Sequence, residues 1–197
     1  MNKTTLTQTI IIGEHIQLEP LRHEHAEPLR YIANDEKIWA YMPSKAFGVF
    51  FDEWFEECMQ QQSDQIKLTY VIRRLSDNLI IGSRAYYEIS HQHQRLEIGY
   101  GWFTPSVWGT TYNHESLFLL FQNAFEQWKF NRIQIGTDPY NKRSYNTLKK
   151  LGATEEGLLR QHMIHHNSLV TDTVMFSILA SEWPAVKTKL WARLNQY

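Results

Sequence analysis

The sequence predicts an α/β domain on a mixed, mostly antiparallel central sheet with helices on both faces. Three observations predict it. Strand-like runs at 68–74, 79–89 and 95–103 follow one another across short polar turns, the pattern of an antiparallel meander. The last of them feeds a strand–helix–strand unit, whose crossover makes its two strands parallel neighbours. Segments with helical periodicity occur on both sides of the meander in the chain, so both faces of a sheet can be covered.

Each element has its own signal. The first strand spans 15–21, with Ile16, Leu18 and Leu21 toward a core. A helix at 24–33 follows, then a second at 47–62 carrying Phe50, Phe51, Trp54, Phe55 and Met59 on helical spacing. Ser76-Asp77-Asn78 turns the meander once and the polar loop 91–94 turns it again. The helix at 113–129 places Leu117, Leu120, Phe121, Ala124, Phe125 and Trp128 on one face. A short strand at 132–137 leads to a helix at 142–151 that Gly152 can end. Strands at 154–164 and 170–179 follow. The final helix, 182–194, carries Pro184 in its first turn, where a missing N–H costs nothing. Residues 1–14 read as an extension, 15–180 as one domain, and 181–197 as a C-terminal helix packed on it.

Composition narrows the function. The 197 residues carry a net charge of −1, with no long basic run to hold nucleic acid. No apolar run approaches the roughly 20 residues that span a bilayer. The polar N-terminus lacks a signal-peptide stretch and the single cysteine excludes an intrachain disulfide, so a cytoplasmic protein is expected.

The most informative stretch is Leu96-Glu97-Ile98-Gly99-Tyr100-Gly101-Trp102-Phe103, followed by a loop and a long helix. Alternation puts Leu96, Ile98, Tyr100 and Trp102 on one face. Glu97, Gly99, Gly101 and Phe103 fall on the other, a carboxylate beside bare backbone. Glycine inside a strand marks a bulge or a close approach by a ligand. The loop Thr104–Thr111 opens a helix whose free N–H groups favour an anion such as a diphosphate. Gly109 lets the backbone come close there, and Thr110 and Thr111 offer hydroxyls. An ordinary strand-to-helix connection fits the same residues.

Several segments in order resemble the GNAT N-acetyltransferases, and among them the RimJ/RimL-type branch. They are Leu18-Glu19-Pro20-Leu21, Ile81-Gly82-Ser83, Leu96-Glu97-Ile98-Gly99-Tyr100, the run from Thr137 to Ser144, the run from Leu148 to Gly157, and the run from Asp172 to Ser177. The resemblance implies an acyl-CoA N-acyltransferase fold, with the sheet splayed between the fourth and fifth predicted strands, 95–103 and 132–137. It implies acetyl-CoA as co-substrate, entering that gap, with no metal. Backbone N–H groups near Trp102 and Phe103 then meet the acetyl carbonyl or the pantetheine amides. The diphosphate meets the backbone from Gly109 through Thr110 and Thr111 to Tyr112. The family loop reads Gln/Arg-x-x-Gly-x-Gly/Ala, whereas Ser106-Val107-Trp108-Gly109-Thr110-Thr111 keeps only the first glycine.

Acetyl transfer to an amine needs a base, because α-amines have pKa values near ~8 and lysines near ~10.4. Glu97 is the candidate base, acting through water; a carboxylate paired with Arg95, Arg84 or a backbone group is the competing reading. Asn141 matches the family residue that bonds pantetheine, and Ser144, three residues on, is the candidate acid near the sulfur. Both also fit a plain helix start. Many members carry a tyrosine acid where Leu148 stands, and Tyr145 does not match that position. Trp108 can cover the adenine or the diphosphate, or pack the loop.

Cys58 reads as a packing residue. His91, His93, His162, His165 and His166 read as polar hairpin ends rather than metal ligands. The acceptor is an amine, on a protein N-terminus or a small molecule. The departed loop leaves a catalytically weak acyl-CoA-binding module as an alternative. Trp183, Trp191 and Leu194 on the last helix leave room for a homodimer.

Overall fold

The computed structural model describes residues 6–194. Residues 1–5 and 195–197, at the outer ends of the expected extension and C-terminal helix, lie outside the described residues. The chain runs β1 (Ile11–Ile12), β2 (Ile16–Pro20), α1 (Ala26–Ala33), α2 (Phe51–Ser63), β3 (Leu68–Arg74), β4 (Ile80–Ser90), β5 (Arg95–Phe103), α3 (Tyr112–Gln122), β6 (Arg132–Thr137), α4 (Lys142–Leu151), β7 (Thr154–Ile164), β8 (Val170–Leu179) and α5 (Trp183–Leu194). The strands form one eight-stranded sheet in the order β1-β2-β3-β4-β5-β6-β8-β7. Among the described residues only β5 and β6 run parallel; the other neighbours are antiparallel.

Two cores sandwich the sheet. On one face, α1 and α2 bury Leu29, Phe51, Trp54 and Phe55 against Val71 and Trp102. On the other, α3, α4 and α5 bury Leu120, Phe121, Leu148 and Leu190 against Tyr70, Tyr86, Ile98 and Phe176. Cys58 sits in the first core, 2% exposed, and burial pushes its thiol pKa up, as a packing residue requires. The apolar face of α5 is used internally: Trp183, Val186, Leu190 and Leu194 are buried, and Trp183 stacks on Phe125.

Three features depart from the sequence reading. Residues 11–12, placed in an extension, form an edge strand beside β2. The turn between them is held by the buried Glu115 carboxylate, which accepts the N–H groups of Glu14 at 2.7 Å and His15 at 2.9 Å. Two residues are too few to show a period. The helix expected to reach residue 129 widens into a π turn at Asn123–Gln127. There the Asn123 amide donates to the Tyr86 hydroxyl at 3.3 Å, and that hydroxyl donates to the Leu120 carbonyl at 2.7 Å. Tyr86→Phe leaves the buried Asn123 amide without its acceptor, while the Leu120 carbonyl keeps the Asn123 backbone N–H, so it costs about 1–3 kcal/mol of stability in a denaturant titration.

The third departure matters most for the site. Ser83 pairs with Trp102 and Ala85 with Gly99, so Tyr100 and Gly101 together oppose the single residue Arg84. This is a β-bulge, with Tyr100 at φ +50°. One extra residue inverts the alternation beyond it. Leu96 and Ile98 face the α3 core as expected, but Trp102 turns into the α1/α2 core and Phe103 into the α3 core.

Candidate active site

The β5–β6 ladder is short. It pairs Arg95 with Arg132, Leu96 with Ile133 and Glu97 with Gln134, and then stops. Strand β5 continues to Phe103 without a β6 partner, and β6 to Thr137 without a β5 partner. The strands fork, and a cleft of about 310 Å³ opens between them. This is the splay that the sequence resemblance implies.

Glu97 stands at the apex of the fork. Its Oε1 accepts the backbone N–H of Gly136 at 3.1 Å and a short hydrogen bond from the Tyr87 hydroxyl. The side chain thus takes a β6 amide that no β5 carbonyl reaches. Glu97 is 6% exposed and lines the cleft. Burial raises its pKa above the usual carboxylate range; the Tyr87 and Gly136 hydrogen bonds pull the other way and do not cancel it. Of the competing reading, neither Arg95 nor Arg84 pairs with it, but a backbone group does: its partners are the Gly136 N–H and the Tyr87 hydroxyl. Tyr87 is the residue the sequence reading missed. It lies directly opposite Glu97 in the β4–β5 register, so the meander itself carried the signal.

The loop after β5 makes a tight turn at Pro105–Val107 and reaches α3 through Gly109, whose φ of +81° favours glycine. Trp108 packs this loop rather than standing free. Its indole N–H donates to the Phe103 carbonyl at 2.9 Å, and the Arg143 guanidinium lies 4.3 Å over its ring. The Thr110 hydroxyl donates to the Val107 carbonyl at 2.7 Å, so its proton is not offered to the cleft. Thr111 and Tyr112, both expected at the cofactor, do not line the cleft. The cleft-facing row is Gly109, Thr110, Asn113, His114 and Leu117, one face of the helix at spacings of three to four. Tyr112 instead lies near Arg74 on the far side. Trp102 and Phe103 line the cleft, but their side chains sit in opposite cores, so they border it mainly with backbone.

Asn141 and Ser144 both reach the cleft from the start of α4. Asn141 is the N-cap: its Oδ1 accepts the Ser144 N–H at 3.1 Å. Leu148 lines the same wall, and the Tyr145 hydroxyl is turned away onto Glu155 at 2.8 Å. The opposite mouth is bordered by Tyr41, Met42 and Pro43, and by His162 and Thr173, whose side chains are 3.1 Å apart. The histidines divide. His91 and His93 are exposed hairpin residues, whereas His165 is 7% exposed, bonded to Thr171 at 3.1 Å and lining the cleft. The bulge near Gln161, at φ +52°, turns this part of β7 and was not legible as alternation. Among the described residues no group of three or more His, Cys, Asp or Glu side chains is placed to hold a metal, and no helix is long and apolar enough to cross a membrane.

Comparison with known proteins agrees with this geometry. Residues 15–154 match the acetyltransferase (GNAT) domain. The chain is 27% identical to the uncharacterized N-acetyltransferase p20 of Bacillus licheniformis, over 86% of this chain and 96% of that one. It superposes on a GCN5-related N-acetyltransferase from Brucella melitensis with a TM-score of 0.88 and 25% identity, over 96% of this chain and 86% of that one. It also shares its fold with Mycobacterium smegmatis RimJ, solved in complex with CoA-disulfide, at a TM-score of 0.78 and 20% identity, over 90% and 88% of the two chains. A forked mixed sheet with a buried carboxylate at its apex, together with these matches, identifies the protein as an N-acetyltransferase that belongs to the GNAT family.

Proposed function

We propose that the enzyme passes the acetyl group of acetyl-CoA directly to a primary amine in a ternary complex, with Glu97 receiving the amine proton. The acceptor is the α-amine of a protein N-terminus or the amine of a small molecule. The observation that carries the reading is the fork itself. Strand β5 beyond Glu97 has an unpaired edge, and the raised-pKa carboxylate sits where the two strands part. A base of raised pKa is a stronger proton acceptor near neutral pH.

The donor set fits a CoA thioester. The unpaired β5 edge at Trp102 and Phe103 offers backbone partners to an extended amide chain. Among the described residues no protein group accepts the N–H of Gly109 or Thr111, and the first turn of α3 adds its own free N–H groups. Bound there, the thioester supplies the activated acetyl group. Asn141 and Ser144 flank the passage, and the Ser144 hydroxyl is the candidate proton source for the departing thiolate. Residues 15–180 then constitute the catalytic domain, with the C-terminal helix at 181–197 packed on it. A cytoplasmic location fits a CoA thioester as donor, and any homodimer must use surface other than the buried face of α5.

Release of free thiol from acetyl-CoA, followed over a panel of N-terminal peptides, amino acids, polyamines and aminoglycosides, tests this reading. Turnover with at least one class is expected. Tight donor binding without turnover on any amine supports the binding-module reading, and the absence of donor binding overturns both.

A further inference from the structure

Arg84 is a cation buried without an anion. It projects from β4 opposite the β5 bulge and lies across Gly101, where an added Cβ would stand 2.5 Å from its Nε and 2.6 Å from its Nη2. A side chain at position 101 would push the guanidinium off this path. The residue is 7% exposed and lines the cleft. Its Nη2 donates to the Asn113 side-chain oxygen at 2.7 Å, in the first turn of α3. Its Nε and Nη1 are buried with no hydrogen-bond partner, and among the described residues no carboxylate lies within 4.0 Å of it. Burial alone depresses its pKa, to about 10, which still leaves it charged at neutral pH.

A buried, unpaired charge is strongly destabilising, and an arriving counter-charge would offset that cost. The amide of Asn113 is neutral and cannot supply it. Asn113 ties the guanidinium to the helix start whose N–H groups and dipole already favour an anion. The loop leading there holds no cation of its own between Thr104 and Thr111, and Ser106 stands where the family pattern has Gln or Arg.

We propose that Arg84 anchors the diphosphate of the acyl donor, supplying from strand β4 the positive charge that the loop lacks. The proposal rests on the acetyl-CoA reading above. Arg84 and the α3 N-terminus then hold the diphosphate from two sides, and Gly101 is glycine because the guanidinium must cross it.

Calorimetric binding of three probes to the full chain tests it: CoA, dephospho-CoA without the 3′-phosphate, and pantetheine without diphosphate or nucleotide. Arg84→Met should weaken CoA and dephospho-CoA alike, on the order of 10- to 100-fold, and leave pantetheine unchanged. Arg84→Lys should recover part of the loss. The ligand-free Met variant should melt at the wild-type temperature or above it, because an uncompensated charge has gone. Should that variant not fold, Arg84→Lys carries the test with the same probes, weakening both nucleotides and sparing pantetheine. Equal loss for pantetheine, loss for CoA but not dephospho-CoA, or unchanged affinity with a lowered melting temperature overturns the proposal. Wild-type protein that binds none of the three overturns the acetyl-CoA reading instead.

Discussion

Replacing Glu97 by glutamine lowers kcat by about 10²-fold or more, with the donor's KM little changed. Glutamine keeps the shape and can still accept from the Tyr87 hydroxyl and the Gly136 N–H. It cannot take a proton. The pH profile carries the sharper signature. Glu97 acts as a base only when ionised, and burial has raised its pKa, so wild-type activity rises with pH as this carboxyl deprotonates. In the variant that rise is gone, and only the limb belonging to the amine remains. Stability shifts in the opposite sense. A carboxyl whose folded-state pKa is raised contributes stability at pH values below its unfolded pKa, and that contribution is lost as pH climbs through the folded pKa. Glu97→Gln removes this loss. Unaltered kcat and pH profile would take Glu97 out of the reaction and leave it as a strand fastener.

The largest stability effect is expected at Trp39. It is fully buried, with its ring 5.4 Å from Trp102 and 5.9 Å from Trp54, and its indole N–H donates to the Ala33 carbonyl at 2.9 Å. Trp39→Ala opens a large cavity and should cost about 3–5 kcal/mol. That is a sizeable fraction of the 5–15 kcal/mol typical of a domain. Denaturant midpoints should fall with the slope unchanged. Activity should suffer as well, because Trp39 supports Trp102 beside the bulge and leads into Tyr41, Met42 and Pro43 at the cleft mouth. A loss below about 1 kcal/mol would mean that the three-tryptophan cluster collapses without leaving space.

Periodicity carried most of the fold. Strands 68–74, 95–103, 132–137, 154–164 and 170–179 stand where alternation and turn residues put them. It failed wherever one residue is added to a regular element. The bulge at Tyr100 and Gly101 reverses which face Trp102 joins, and the π turn at Asn123 widens a helix whose apolar spacing reads as regular. Such insertions depend on contacts made across the sheet, Arg84 over Gly101 and Asn123 on Tyr86, and nothing local announces them. The candidate site was legible where chemistry is unusual for its place, as with a glutamate among strand glycines that the structure places at the fork. A motif gives the residues of a helix start but not its rotation, so the side chains of Thr111 and Tyr112 fall off the cleft face while their backbone N–H groups stay in the proposed donor set. His165 was misread because its cleft-facing position depends on a bulge in the neighbouring turn of β7.

The fork has one more consequence. Beyond Glu97 and Gln134 the sheet is two slabs, β1–β5 and β6–β8, that among the described residues share no backbone bonds across the seam. Under the proposed reading, a thioester lying along the free edge of β5 takes the place of a strand there. Donor binding to the folded state alone would then raise its thermal resilience with donor concentration, knitting the two slabs together.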